Sequence, residues 1–221
     1  MSLSTTLVKR KTMLKTEAIF AQELYSPGYL LLYLPQKYRE DISNSINEII
    51  AETDITEDVR SYLRGHISHQ FAFPINEGME CLLLELTAQY AAKFGSHPDK
   101  KYHKKTPLFQ SETAWVNFQK KGEFNPIHSH SGAFSWVLWV RCPYKIADEQ
   151  ALYGDINQNE AAAFNFHYVD AYGEITAINL PVDEQFEWKM AFFPSSLSHS
   201  VNPFMTSDEF RISISGNIFA K

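Results

Sequence analysis

Three histidines in two short motifs are the residues of this sequence best suited to bind a metal ion. His128 and His130 lie one residue apart in "NPIHSHSGAF", and His199 lies far downstream in "FFPSSLSHSVNPF". On a β-strand, residues two apart point to the same face, so the first two imidazoles could share one ion. A third imidazole from a distant strand would complete a facial set of three ligands. The alternative is that these histidines are hydrogen-bonded structural residues.

A second motif, "RISIS" at residues 211–215, places a cation among small polar residues. If this segment is a strand, Arg211 and Ser213 share one face and the isoleucines between them pack against the other. An inward-facing guanidinium is costly unless it meets an anion, and its fork of N–H donors suits a carboxylate. Arg211 could instead be a surface residue paired with Asp208 or Glu209.

The second half of the chain, from about residue 106, supplies strands that could position these groups. Aromatic and β-branched residues alternate in short segments separated by clusters of Gly, Pro, Asn and Asp, a spacing typical of a β-sandwich or barrel. The segments are "AWVNF", "FSWVLWVR", "AFNFHYV", "EITAINL", "WKMAFF" and "RISISGNIF". The polar insertion at residues 142–162 is predicted to be a loop at one mouth of the barrel.

The first half of the chain has mainly helical periodicity. "REDISNSINEIIAE" (residues 39–52) predicts one amphipathic helix, and a second is predicted from the cap Asn76 to Gly95. A shorter helix is predicted from Thr56 to Gly65, and "YLLLYL" at residues 29–34 predicts a strand. The sequence thus predicts a mainly β protein in which residues 1–105 form a helical elaboration packed on a β core of residues 106–221.

Composition excludes several classes of function. The 221 residues include 20 Lys and Arg against 26 Asp and Glu, a net charge of −6, which argues against nucleic-acid binding. No apolar run approaches the roughly 20 residues of a membrane span. The two cysteines, Cys81 and Cys142, lie in apolar surroundings without a pairing motif, so we expect buried thiols and a cytoplasmic protein.

The order of the motifs resembles that of a known enzyme superfamily. His-x-His, a distal His and then Arg-x-Ser, framed by "WVNFQKKGEFNPIHSHSGAFSWVLWV", "FPSSLSHSVNPF" and "RISISGN", are similar to the 2-oxoglutarate and Fe(II)-dependent oxygenases, notably those of phages and bacteria. The resemblance covers about residues 112–219. It implies a double-stranded β-helix, a jelly-roll and cupin-like core, with Fe(II) and 2-oxoglutarate as cofactors.

The resemblance also implies an iron site. His128 and His199 would hold the ion, but the family's usual Asp or Glu two residues after the first histidine is here His130. With His130 as the third ligand, three neutral imidazoles would leave the ion its full charge, which would favour a dianionic cosubstrate. No catalytic side chain beyond the metal ligands is implied.

For the cosubstrate, the resemblance implies that Arg211 binds the distal carboxylate of 2-oxoglutarate and that Ser213 assists it. Asn117 and Ser135 would flank the cosubstrate. The implied reaction consumes O2, converts 2-oxoglutarate to succinate and CO2, and hydroxylates a small molecule, amino acid or peptide. Whether the protein forms a homodimer is left open.

A second resemblance leads to a different activity on the same fold. Gly122 followed by His128 and His130, together with the segment from Pro194 to His199, is similar to the two halves of the cupin motif. It implies a three-histidine metal dioxygenase or isomerase that does not need 2-oxoglutarate. A third hypothesis is a non-catalytic binding module whose metal is structural, with closed coordination.

Overall fold

Two antiparallel β-sheets form the centre of the protein in the computed structural model, which describes residues 28–52, 58–60, 65–94, 109–154 and 160–220. The strands are β1 (Leu30–Tyr33), β2 (Gln70–Ala72), β3 (Phe109–Gln119), β4 (Asn125–His128), β5 (Phe134–Arg141), β6 (Phe164–Val169), β7 (Ile175–Leu180), β8 (Lys189–Pro194), β9 (Ser198–Val201) and β10 (Arg211–Ala220). The larger sheet has the order β1-β8-β5-β10-β3-β2, and the smaller has the order β4-β9-β6-β7. The predicted mainly β architecture is confirmed.

Alternation along the central strand β10 gives the larger sheet two different faces. Ile212, Ile214 and Ile218 belong to a buried apolar cluster with the helices. Arg211 and Ser213 point to the opposite side, where they line a cavity between the two sheets. The alternation predicted for "RISIS" is therefore present, and it turns polar groups towards the interior of the sandwich.

Two helices cover the outer face of the larger sheet. They are α1 (Arg39–Ala51) and α2 (Glu77–Phe94), and both pack buried aliphatic side chains onto the sheet. The N–H of Met79 donates to Asn76 Oδ1 at 2.8 Å, so Asn76 is the predicted N-cap. Both predicted helices are confirmed, whereas the one from Thr56 to Gly65 lies largely outside the described residues. No helix in the part of the chain that the structure describes is long and apolar enough to cross a membrane.

Residues before position 106 also contribute strands to the larger sheet. The predicted strand at 29–34 is confirmed as β1, which pairs with β8, and β2 pairs with β3. These pairings join the N-terminal part to the same sheet as the core. The boundary between residues 105 and 106 stays a prediction.

Two predictions for individual segments are wrong. The insertion predicted to be a loop contains a short helix, α3 (Ile146–Ala151), whose fully buried Glu149 accepts hydrogen bonds from the N–H groups of Met205 and Thr206. This tertiary anchoring stabilises a helix too short to show a periodic pattern. Cys142 is buried as expected, but Cys81 is exposed, because it lies on the solvent side of α2.

Candidate active site

The pairing of β4 with β9 brings His128 and His199 together. The two residues are direct partners in the antiparallel ladder, so their side chains project from the same face of the smaller sheet. Their ring centroids are 4.3 Å apart. A pairing between strands that are distant in sequence thus joins the first and last of the three predicted histidines.

His130 reaches the same place from a turn and not from a strand. Strand β4 ends at His128, so the prediction that both histidines lie on one strand is wrong. The N–H of His130 donates to the carbonyl of Ser195 at 2.9 Å, which fixes the turn against the segment before β9. The His130 ring lies 4.9 Å from that of His128 and 5.1 Å from that of His199.

A glycine makes this turn possible. Gly132 has a φ of +111°, and a Cβ placed there would lie 2.9 Å from the carbonyl oxygen of Ile218. Only a residue without a side chain fits this backbone conformation and this close approach. The "SHSG" sequence therefore turns directly after His130 and holds its ring beside the other two.

The hydrogen bonds of two imidazoles select the tautomer that suits a metal ion. His128 Nδ1 lies 2.8 Å from the carbonyl of Pro126, and His199 Nδ1 lies 3.0 Å from the carbonyl of Leu197. A carbonyl only accepts, so Nδ1 carries the proton in both rings and Nε2 carries the lone pair. Backbone carbonyls in this position orient metal-binding histidines in many proteins.

Burial keeps the imidazoles of His130 and His199 neutral, which is the form that binds metal. Burial and, secondly, the neighbouring His128 lower the pKa of His199 to about 3. The pKa of His130 is lowered to about 4 by the same two causes in the same order. Phe164 stacks on the His199 ring at 5.5 Å and contributes to this apolar environment.

The three histidines fit a divalent transition metal ion. Each offers one nitrogen, and these ligand atoms lie within 4.8 Å of one another. Within the described ranges, no other group of three or more His, Cys, Asp and Glu side chains is arranged to hold an ion, and no carboxylate belongs to this one. Imidazole ligands suit iron as well as zinc, copper and nickel.

Arg211 lies in the wall of the same cavity and is 2% exposed. All five of its N–H donors are directed at neutral acceptors. Gln119 Oε1 accepts from Nε and Nη2, and the Asn202 carbonyl accepts from Nη2. The Tyr144 hydroxyl and the Ala162 carbonyl accept from Nη1. No carboxylate among the described residues forms an ion pair with it. The cavity therefore has a buried positive charge without a protein counterion.

The alternative that Arg211 is a surface residue does not hold. Asp208 pairs with Lys121, and Glu209 pairs with Arg141. Both acidic side chains are thus engaged elsewhere, and Arg211 is buried because its strand position faces the other sheet.

The remaining predicted residues line the same cavity, whose volume is about 40 Å³. Asn117 Nδ2 donates to Ser213 Oγ at 3.3 Å, across the β3–β10 ladder. Ser135 Oγ lies 2.9 Å from Ser195 Oγ and 2.8 Å from Asn217 Oδ1. All seven side chains proposed from the sequence thus border one space.

Two residues that contact Arg211, Gln119 and Tyr144, were not predicted from the sequence. Gln119 follows Asn117 by two positions on β3, so the strand periodicity that places Asn117 in the cavity could also have identified Gln119. Tyr144 comes from the irregular segment after β5 and leaves no periodic signal. Its ring stacks on Phe204 at 4.7 Å, which holds the hydroxyl against the guanidinium.

One family model matches the second half of the chain. Residues 113–217 match the family model described as "Putative 2OG-Fe(II) oxygenase". No curated protein sequence matches the chain.

Solved structures share the fold at low identity. A prolyl-4-hydroxylase from Pseudomonas putida is 14% identical, with a TM-score of 0.50 over 89% of this chain and 94% of that one. OsALKBH1 is 12% identical, with a TM-score of 0.54 over 88% of this chain and 100% of that one. SnoK, a non-heme alpha-ketoglutarate-dependent carbocyclase from nogalamycin biosynthesis, is 11% identical, with a TM-score of 0.51 over 88% and 80%. Residues 113–217 are thus similar to the 2-oxoglutarate and Fe(II)-dependent oxygenases, and the chain shares its double-stranded β-helix fold with these solved structures.

Proposed function

We propose that this enzyme hydroxylates a small molecule, an amino acid or a peptide, with His128, His130 and His199 as iron ligands and Arg211 as the anchor for 2-oxoglutarate. One observation carries the proposal: three imidazoles and a buried guanidinium without a protein counterion border the same cavity. One group suits a divalent cation and the other suits a carboxylate. A 2-oxo acid with a distal carboxylate has both of the functions needed to bridge them.

The protein side chains bind and orient the reactants. Fe(II) and 2-oxoglutarate, when bound, supply the O2-dependent decarboxylation that is coupled to hydroxylation of the substrate. His128 and His199 present Nε2 because backbone carbonyls hold their Nδ1–H groups. Arg211 neutralises the distal carboxylate, and Ser213, which accepts from Asn117, offers a hydroxyl on the same face of β10.

Exclusion of water is a second task of the protein. The sheets close around the histidines with aromatic walls, including Trp115 beside His130 at 5.6 Å and Phe193 beside His199 at 5.0 Å. A dry site strengthens electrostatic interactions with both ends of the cosubstrate. In this proposal, Ser135 contributes a hydroxyl to the cavity wall and would flank the cosubstrate.

His130 also supports a second candidate, a metal enzyme that does not use 2-oxoglutarate. Its imidazole replaces the carboxylate that the family usually provides, and three-histidine sites are implied by the cupin resemblance. The two candidates share the metal site and differ in whether Arg211 binds a ligand. A test must therefore address the Arg211 side of the cavity.

The experiment is an anaerobic titration of the Fe(II)-loaded protein with 2-oxoglutarate, followed by visible absorption. We expect a charge-transfer band from the chelated 2-oxo acid, with an affinity that falls at least about tenfold in Arg211→Met, because a charge-assisted pair is lost. The matched control is Arg141→Met, which removes an exposed arginine paired with Glu209. Bound iron without any band would contradict the proposal and favour the second candidate or a non-catalytic metal site.

A further inference from the structure

The guanidinium of Arg211 has no donor left for a ligand in this structure. A carboxylate binds an arginine most strongly through two parallel N–H···O bonds, so it needs two neighbouring donors. All five donors already meet protein acceptors. The cavity, at about 40 Å³, is also far smaller than the roughly 300–1,000 Å³ of common ligand pockets. At least one protein group must therefore move before a carboxylate can bind.

The two backbone acceptors are held firmly. The N–H of Asn202 donates to the Ala163 carbonyl at 2.8 Å, and its side chain donates to the Glu160 carbonyl at 2.7 Å. Ala162 is fully buried with a φ of +56°, and its N–H donates to the Pro203 carbonyl. A non-glycine residue keeps such a conformation only where its surroundings enforce it. These carbonyls form the fixed side of the Arg211 site.

Tyr144 is held almost as firmly. Its ring stacks on the fully buried ring of Phe204 with an interplanar angle of 16°. The guanidinium of Arg211 lies over the same Phe204 ring at 5.4 Å. Moving the Tyr144 hydroxyl would therefore disrupt a packed aromatic pair as well as one hydrogen bond.

Gln119 is different, because it lines the cavity together with Arg211, whereas the other three acceptors do not. Its Oε1 accepts from Nε at 3.1 Å and from Nη2 at 2.7 Å, which is one complete edge of the guanidinium. Its Nε2 donates to the Glu123 carbonyl in the turn after β3. Gln119 and Arg211 are direct partners in the β3–β10 ladder, and both line the cavity.

We propose that Gln119 is a placeholder for the cosubstrate. Its carboxamide oxygen occupies the edge of Arg211 that the distal carboxylate of 2-oxoglutarate takes on binding. Competition between this oxygen and the carboxylate for Arg211 sets the affinity for the cosubstrate. The inference rests on the proposed function, since it assigns the anion. A neutral amide oxygen satisfies the buried donors when no cosubstrate is bound, because leaving them unpaired would be costly. A charged carboxylate with two oxygens forms stronger bonds to the same edge and displaces it.

Two substitutions at position 119 should have opposite effects. Gln119→Glu provides an internal carboxylate for Arg211, so 2-oxoglutarate should bind about 10- to 100-fold more weakly. Gln119→Ala removes the competitor, so 2-oxoglutarate should bind about 3- to 10-fold more tightly. Dissociation constants would be measured by calorimetry on the Fe(II)-loaded protein without oxygen.

A ligand control and a protein control separate this effect from general damage. Pyruvate has the metal-chelating 2-oxo acid group without the distal carboxylate, so its affinity should stay within about twofold in both variants. Gln70→Glu places a carboxylate on another buried glutamine of the cavity region, one that donates to Asn117 at 2.7 Å and does not contact Arg211. It should weaken 2-oxoglutarate binding less than about threefold.

The outcomes distinguish the two proposals. If the wild type binds 2-oxoglutarate but neither Gln119 variant changes its affinity, or if pyruvate affinity falls in parallel, the placeholder is refuted and the proposed function stands. If the wild type binds no 2-oxoglutarate, both fail. A structure of the wild type with Fe(II) and 2-oxoglutarate gives a test without substitutions. The inference is overturned if Gln119 Oε1 still accepts hydrogen bonds from Nε and Nη2 of Arg211. It is supported if the carboxylate has displaced Gln119 from these donors.

Discussion

The metal-free protein should lose stability in mild acid because two of its buried imidazoles resist protonation. The pKa of His199 is about 3 and that of His130 about 4 in the folded protein, against about 6.5 for an unfolded chain. Below pH 6.5 the unfolded state therefore binds more protons than the folded state, and the free energy of unfolding falls. The loss continues down to the folded pKa values and then levels off.

The size of the effect follows from the same values. At pH 5.0, about 1.5 pH units below the unfolded pKa, protonation of each imidazole stabilises the unfolded state by about 2 kcal/mol. The pair therefore lowers the free energy of unfolding by about 4 kcal/mol. Urea unfolding in EDTA at pH 7.5 and 5.0 measures the total difference, to which carboxylates also contribute. His199→Asn isolates one part, because the amide can donate to Leu197 in place of Nδ1 but does not titrate. An equal pH dependence in wild type and variant would refute the reasoning.

Three further predictions concern the elements that position the site. Gly132→Ala should destabilise the protein by about 1–3 kcal/mol and weaken Zn(II) binding in a competition titration, because its Cβ would meet the Ile218 carbonyl and shift His130. Asn76→Ala should lower the free energy of unfolding in urea by about 1 kcal/mol, because α2 loses its N-cap. Glu149→Gln should cost about 1–3 kcal/mol in the same assay, since one amide oxygen cannot satisfy the donors that the buried carboxylate binds.

The strands and the larger helices could be predicted because their signals are local. Because successive residues of a strand point to opposite faces, Arg211 lies on the face opposite to the isoleucines of "RISIS", independently of the rest of the chain. The helix α2 combines a capping residue, Asn76, with an apolar stripe, and both were visible in the sequence. The order of the histidine and arginine motifs then predicted the double-stranded β-helix fold, which brings those positions together.

The details that local patterns do not determine could not be predicted. His130 lies beyond the end of β4, because β4 ends where its pairing with β9 ends. Strand β9 is distant in sequence, so this end has no local signal. The helix α3 is anchored by Glu149 to a loop more than 50 residues later, which no local period reveals. The Tyr144 hydroxyl reaches Arg211 from an irregular segment. Each of these features depends on tertiary contacts.

The charges of the proposed site explain why it can work without a carboxylate ligand. Three imidazoles contribute no charge, so a bound divalent ion and Arg211 together bring three positive charges into one dry cavity. Bound between the ion and Arg211 as proposed, 2-oxoglutarate would contribute two negative charges and so offset most of this positive charge. An aspartate in place of His130 would add a negative charge next to the chelating end and reduce the attraction for the anion. In the proposed site, His130 would therefore favour cosubstrate binding at the expense of metal affinity. Metal binding would then depend more strongly on the orientation that the Pro126 and Leu197 carbonyls impose on His128 and His199.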